Sequence, residues 1–107
     1  MIDAGTIEVG DARIRLYGIV APGAELVCFT DGKPWNCGRQ ATWALAYELA
    51  EHWVICRDRG LGCATCFIGG IHDIAERMVR QGWARAASPD YAAAEADARA
   101  AHAGQWR

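Results

Sequence analysis

Five cysteines in a chain of 107 residues restrict the fold more than any other feature. Cys56 and Cys66 are equidistant from Leu61, which has Gly60 and Gly62 on either side. A chain turning at those glycines sets the two cysteines opposite each other on paired strands, within reach of a bridge. Cys28 and Cys37 would close a second short loop just ahead of a helical segment. A bridge of this kind contributes about 2–4 kcal/mol. Cys63 is then the unpaired thiol. The competing reading is metal or redox chemistry at Cys63-Ala64-Thr65-Cys66, a CxxC by pattern. Residues three apart on a strand point to opposite faces, which speaks against two sulfurs there holding one ion. So many cysteines in a small chain favour an oxidising compartment, secreted or periplasmic. No leader precedes the acidic start of the chain, so a secreted protein would be read here in a mature or trimmed form.

The remaining pattern is that of a mixed α+β chain, expected to form one domain over residues 1–107. TIEVG (Thr6–Gly10) and ARIRLYGI (Ala12–Ile19) alternate and are joined by Gly10-Asp11, a hairpin signal. In the second strand Ile14 and Leu16 face one side, and Arg13, Arg15 and Tyr17 the other. Residues Ala21–Trp35 carry two of the three prolines and several glycines and read as a long loop. Gly38–Glu51 is helical in period, with Ala41, Ala44, Leu45 and Leu49 on one face. Trp53–Cys56 and Cys63–Ile68 read as strands with a turn at Arg57–Gly62 between them. Ile71, Ile74, Ala75, Met78 and Val79 mark a second helix that stops at Gly82. Ser88-Pro89-Asp90 opens a third. The order suggests antiparallel pairing and a small barrel. The five tryptophans read mostly as core, and Arg77, Arg80, Arg85 and Arg99 as solvated, partly paired helix charge.

Net charge is −2 and the sequence pI about 5.8. A domain built around a phosphate backbone usually carries a basic excess, so nucleic acid is a disfavoured partner. No apolar run reaches membrane-spanning length, and no membrane partner is expected.

Taken together, Ile14-Arg15-Leu16-Tyr17-Gly18-Ile19 with Ala21-Pro22, Trp35-Asn36-Cys37-Gly38, Ala64-Thr65-Cys66, Val79-Arg80-Gln81-Gly82-Trp83-Ala84 and the closing Tyr91, Glu95, Arg99, Gly104 and Trp106 resemble the thermonuclease, or staphylococcal-nuclease-like, family. The resemblance covers nearly the whole chain. It implies a small OB-fold-like antiparallel β-barrel with three helices, its first strand truncated or missing because only Met1 and Ile2 precede Asp3. It also implies calcium-dependent cleavage of DNA and RNA, and nuclease-like proteins of this sort also occur in bacterial exopolysaccharide (succinoglycan) biosynthesis. Calcium needs oxygen ligands, water needs a carboxylate base, and the five-coordinate phosphorus needs guanidiniums.

Position by position, most of that machinery is absent. The family's Asp-Gly-Asp-Thr reads Asp3-Ala4-Gly5-Thr6, so a metal acid has become Gly5. Its Asp-Ala/Thr-Pro-Glu reads Val20-Ala21-Pro22-Gly23, replacing the second metal acid by Val20 and the general base by Gly23. Its Tyr-Gly-Arg falls on Arg59-Gly60-Leu61, putting leucine where the second arginine belongs. Arg15 is the remnant, with Tyr17 and Arg59 as the remaining binding candidates, Glu25 as a substitute base and Asp3 as a weak metal candidate. The resemblance therefore points to an inactive binding or assembly module that needs no cofactor. Its partner would be a protein or an anionic polymer, or a second copy joined at an open barrel edge. The alternative is a calcium-dependent phosphodiesterase with a rebuilt site using Asp3, Glu25 and Arg15.

Overall fold

Alternation of apolar and polar residues lays down the first two strands, and the turns decide everything after them. The computed structural model of the protein describes residues 4–9, 12–50, 53–69 and 72–106. Asp3, the Gly10-Asp11 turn, His52 and Ile71 lie outside the described residues. Strands β1 (Thr6–Val9) and β2 (Ala12–Leu16) pair antiparallel, with Ile7 opposite Ile14 and Glu8 opposite Arg13. β2 ends earlier than its alternation suggests. Gly18 has φ +82°, and a Cβ built on it would fall 2.6 Å from the Tyr91 ring, so the chain turns there as only glycine can. A two-residue strand β3 (Ile19–Val20) follows, antiparallel to Arg85–Ala86.

Residues Ala21–Trp35 are not the continuous loop that their prolines imply. Strands β4 (Cys28–Thr30) and β5 (Lys33–Trp35) form a hairpin around Asp31-Gly32, both at positive φ, 52° and 78°. That is the conformation a two-residue Asp-Gly turn favours. Helix α1 (Cys37–Leu49) buries Cys37, Gly38, Ala41, Thr42 and Leu45. The Cys28–Cys37 disulfide, Cα atoms 5.6 Å apart, ties the hairpin to its first residue.

Strand β6 (Val54–Gly60) runs past Cys56 through most of the expected turn and pairs antiparallel with β7 (Cys63–Ile68), Cys56 directly opposite Cys66. These two are bridged, and Cys63 is a free thiol. The register shifts between Asp58 and Gly60, leaving Arg59 as the extra residue of a bulge. Strand β8 (His72–Asp73) leads into helix α2 (Ile74–Arg80), whose first amides, Ala75 N and Glu76 N, donate to Asp73 Oδ1. After β9 (Arg85–Ala86), a 3-10 turn at Pro89–Tyr91 opens helix α3 (Ala92–Ala100), and Ser88 Oγ accepts from Asp90 N.

The sheet order is β1-β2-β7-β6, with β8 also on β7. Pairing is mixed, which corrects the expectation of antiparallel strands throughout: β2 runs parallel to β7, with Arg15 beside Cys63 and Leu16 beside Ala64. Among the described residues no pairing joins β1 to β6 to close a barrel. One sheet face carries Ile7, Leu16, Ala64, Cys66 and Ile68 into a core shared with Leu45 of α1, Ile74, Met78 and Val79 of α2, and Tyr91. Among the described residues no helix is long and apolar enough to cross a membrane.

The tryptophans depart from expectation. None is fully buried; Trp43 is 63% and Trp53 84% exposed. Apolar residues on two sheet faces and on the side of a helix cannot all point at one small core. Trp35 and Trp83 meet edge to face at 6.2 Å, and Trp106 is flanked by the guanidiniums of Arg85 and Arg99.

Candidate functional site

The face of the sheet turned away from the core collects the residues that the sequence singles out. Directly paired residues share a face, so Thr6, Arg15 and Cys63 lie on this side, with Glu8, Arg13, Thr65 and Arg57. Arg15 Nη2 donates to Leu61 O at 3.4 Å, across the mouth of the β6–β7 turn. Arg59, released from the ladder by the bulge, sets its guanidinium 4.0 Å from the centre of the Tyr17 ring and donates through Nη1 to Thr65 Oγ1 at 3.3 Å. Arg59 and Tyr17 therefore act as one unit, fixed by a cation–π contact and a hydrogen bond.

Beside Arg15 opens a cleft of about 140 Å³ lined by Gly5, Thr6, Arg15, Leu16, Ile19 and Ala21. Gly5 is a position where the resemblance calls for an acid. Among the described residues the lining has one side-chain hydroxyl, on Thr6, and no carboxylate, and its charged member is Arg15, a guanidinium. A hard divalent cation requires several oxygen ligands and is repelled by that guanidinium, so these residues do not fit calcium. Among the described residues no three of His, Cys, Asp and Glu gather into a metal-binding group.

The other candidates are not brought to this cleft. Val20 is exposed and pairs with Arg85 in β3–β9. Gly23 and the exposed Glu25 belong to a tight turn closed by Leu26 N donating to Gly23 O at 3.1 Å, and neither lines the cleft. Leu61 is the tip of the β6–β7 turn, 94% exposed at φ 55°, and it offers Arg15 only its carbonyl. An arginine does reach this face, but from Arg59, two residues earlier.

A second cleft, of about 340 Å³, is lined by residues of β2, β6 and β7, among them Ile14, Cys56, Asp58, Cys63 and Ala64. Its one carboxylate among the described residues, Asp58, already accepts from Gly60 N at 2.8 Å and holds the bulge.

Strand alternation placed Arg13 on the side of Arg15 and Tyr17, but residue-by-residue reading missed Thr65 as a member of this surface and put Arg57 in a turn. For Arg57 the signal was there: Trp53, Ile55 and Arg57 alternate, but the charge and glycine after Cys56 read as a turn.

No family model matches the chain. It is 32% identical over 118 aligned positions to the succinoglycan biosynthesis protein ExoI of Rhizobium meliloti (strain 1021). That alignment takes in 100% of this chain and 62% of the relative, so the chain spans less than two thirds of the curated protein it matches.

Proposed function

We propose that this chain is a catalytically silent domain of the staphylococcal-nuclease type, an OB-like barrel left open on one side. In this reading it acts outside the cytoplasm, in exopolysaccharide production, as a binding or assembly module for an anionic polymer or a protein, and it takes no cofactor. One observation carries the reading. The cleft at the old reaction centre keeps Arg15 but has Gly5 and Ala21 in its walls and, among the described residues, no acid to hold a cation or accept a proton from water. Losing a general base alone removes about 10²–10⁴-fold in rate. The likeness to a succinoglycan biosynthesis protein supports the setting, and the two disulfides support an oxidising compartment.

The test is a calorimetric calcium titration of the oxidised protein, with a single-stranded DNA cleavage assay alongside. Neither binding nor cleavage is expected. Calcium-dependent cleavage that disappears in Glu25→Gln would replace this reading with that of a rebuilt phosphodiesterase.

A further inference from the structure

We infer that the outer face of the β1-β2-β7-β6 sheet is the ligand surface and that its ligand is an extended acidic polysaccharide bearing carboxylates; this rests on the binding-module reading above. The argument begins with how charge is distributed. On α2 and α3, Arg77 pairs with Glu48, Arg80 with Glu76 and Asp97, and Arg99 with Glu95, while the exposed Arg39 of α1 has no ion pair among the described residues. On the sheet, Arg13, Arg15, Arg57 and Arg59 are all exposed, and among the described residues none of them is in an ion pair. Among the described residues the acids on that face are Glu8, opposite Arg13, and Asp73, opposite Phe67 at the far end. Asp73 is already engaged, by two helix amides and by the Tyr91 hydroxyl. Among the described residues, four exposed arginines without an ion pair thus share one surface of a chain whose net charge is −2.

That surface is also extended and partly pre-set. Arg15 and Arg59 are held by their bonds to Leu61 O and Thr65 Oγ1, which lowers the ordering cost of binding. Along β6 the same alternation runs from Arg57 through Ile55 to Trp53, both largely exposed. From Arg13 to Trp53 the path is roughly 25 Å long at about 3.3 Å of rise per residue. Guanidinium forks match carboxylates in geometry, and an indole face accepts the apolar C–H side of a sugar ring. One end of the path suits acidic groups and the other suits pyranose rings.

Nucleic acid fits less well. Its charge density is high and the protein as a whole is acidic. The ring among the arginines that would stack a base, Tyr17, is covered by Arg59.

The experiment measures binding of polygalacturonate to the oxidised protein at low salt, against neutral dextran and oligothymidylate. Variants are R13A/R57A, W53A and the charge-matched control K33A/R39A, whose residues lie off this face, with thermal melts to establish folding. Polygalacturonate should bind and dextran should not. R13A/R57A should weaken binding about tenfold, as expected for two lost charge contacts, W53A should weaken it several-fold, and the control should stay within about twofold of wild type. Equal losses in R13A/R57A and the control would overturn the surface while leaving the binding-module reading intact. Tighter binding of oligothymidylate than of polygalacturonate would overturn the ligand class. Binding of none of the three polymers would remove the polymer-binding reading together with this inference.

Discussion

Tyr91 is buried in the core, yet its hydroxyl donates to Asp73 Oδ2 at 2.7 Å. Burial raises its pKa above the ordinary tyrosine value, and the hydrogen bond to Asp73 and that carboxylate's charge act in the same direction. The folded state therefore favours the neutral phenol. Its stabilisation is complete below the unfolded value, near pH 10, and is lost as pH climbs beyond it. Stability should fall above about pH 10 with a limiting slope of ~1.4 kcal/mol per pH unit from this group. Tyr91→Phe should remove that slope while costing about 1 kcal/mol at neutral pH. Urea unfolding at a series of pH values checks both. Gly18 beneath the ring is equally constrained. Gly18→Ala meets Tyr91 at 2.6 Å and an unfavourable positive φ, so it should lower stability by about 2–3 kcal/mol in the same assay.

At the scale of elements, the β6–β7 hairpin organises both the core and the outer face. Three consecutive residues, Gly60, Leu61 and Gly62, have positive φ, and the middle one is leucine. Leu61→Asn should raise stability by roughly 0.5–1 kcal/mol, because asparagine tolerates this conformation better. The Cys56–Cys66 bridge closes a separation of 10 residues. Replacing both cysteines by alanine should cost about 3 kcal/mol on a loop-closure estimate, whereas Cys63→Ser should change stability little. Melting curves of the three variants distinguish these effects. This hairpin was legible in the sequence because its symmetry is local: two cysteines equidistant from a glycine-flanked leucine. The Asp31-Gly32 hairpin was local too, but Pro22 and Pro34 nearby read as loop. The parallel β2–β7 contact was not legible, since it joins residues 48 apart and no short-range pattern encodes strand direction. The site was half legible for the same reason. Arg15 and Tyr17 stand out in their own strand, but the bulge that carries Arg59 onto Tyr17 is visible only once β6 and β7 are paired.

Across the whole molecule, the contrast between the paired arginines of α2 and α3 and the sheet arginines, which have no ion pair among the described residues, has consequences for stability. Arg77 holds Glu48 through two bonds, of 3.0 and 3.1 Å, and so joins α2 to α1; that carboxylate is only 12% exposed and also accepts from Gln81. Removing Arg77 takes a partner from a largely buried charge, and Arg77→Ala should cost about 1–2 kcal/mol. Arg57 stands opposite Thr65 with no carboxylate bonded to it among the described residues, on a face it shares with other guanidiniums. Arg57→Thr would place a β-branched hydroxyl residue opposite another and relieve like charge, so it should leave stability unchanged or raise it by roughly 0.5 kcal/mol. A residue kept for folding loses stability when removed; one kept for a ligand does not, because binding surfaces are not optimised for the empty fold. Parallel chemical denaturation of Arg77→Ala and Arg57→Thr measures that difference directly. A loss of more than about 1 kcal/mol in Arg57→Thr would mean that the sheet arginines serve the fold, as those of the helices do.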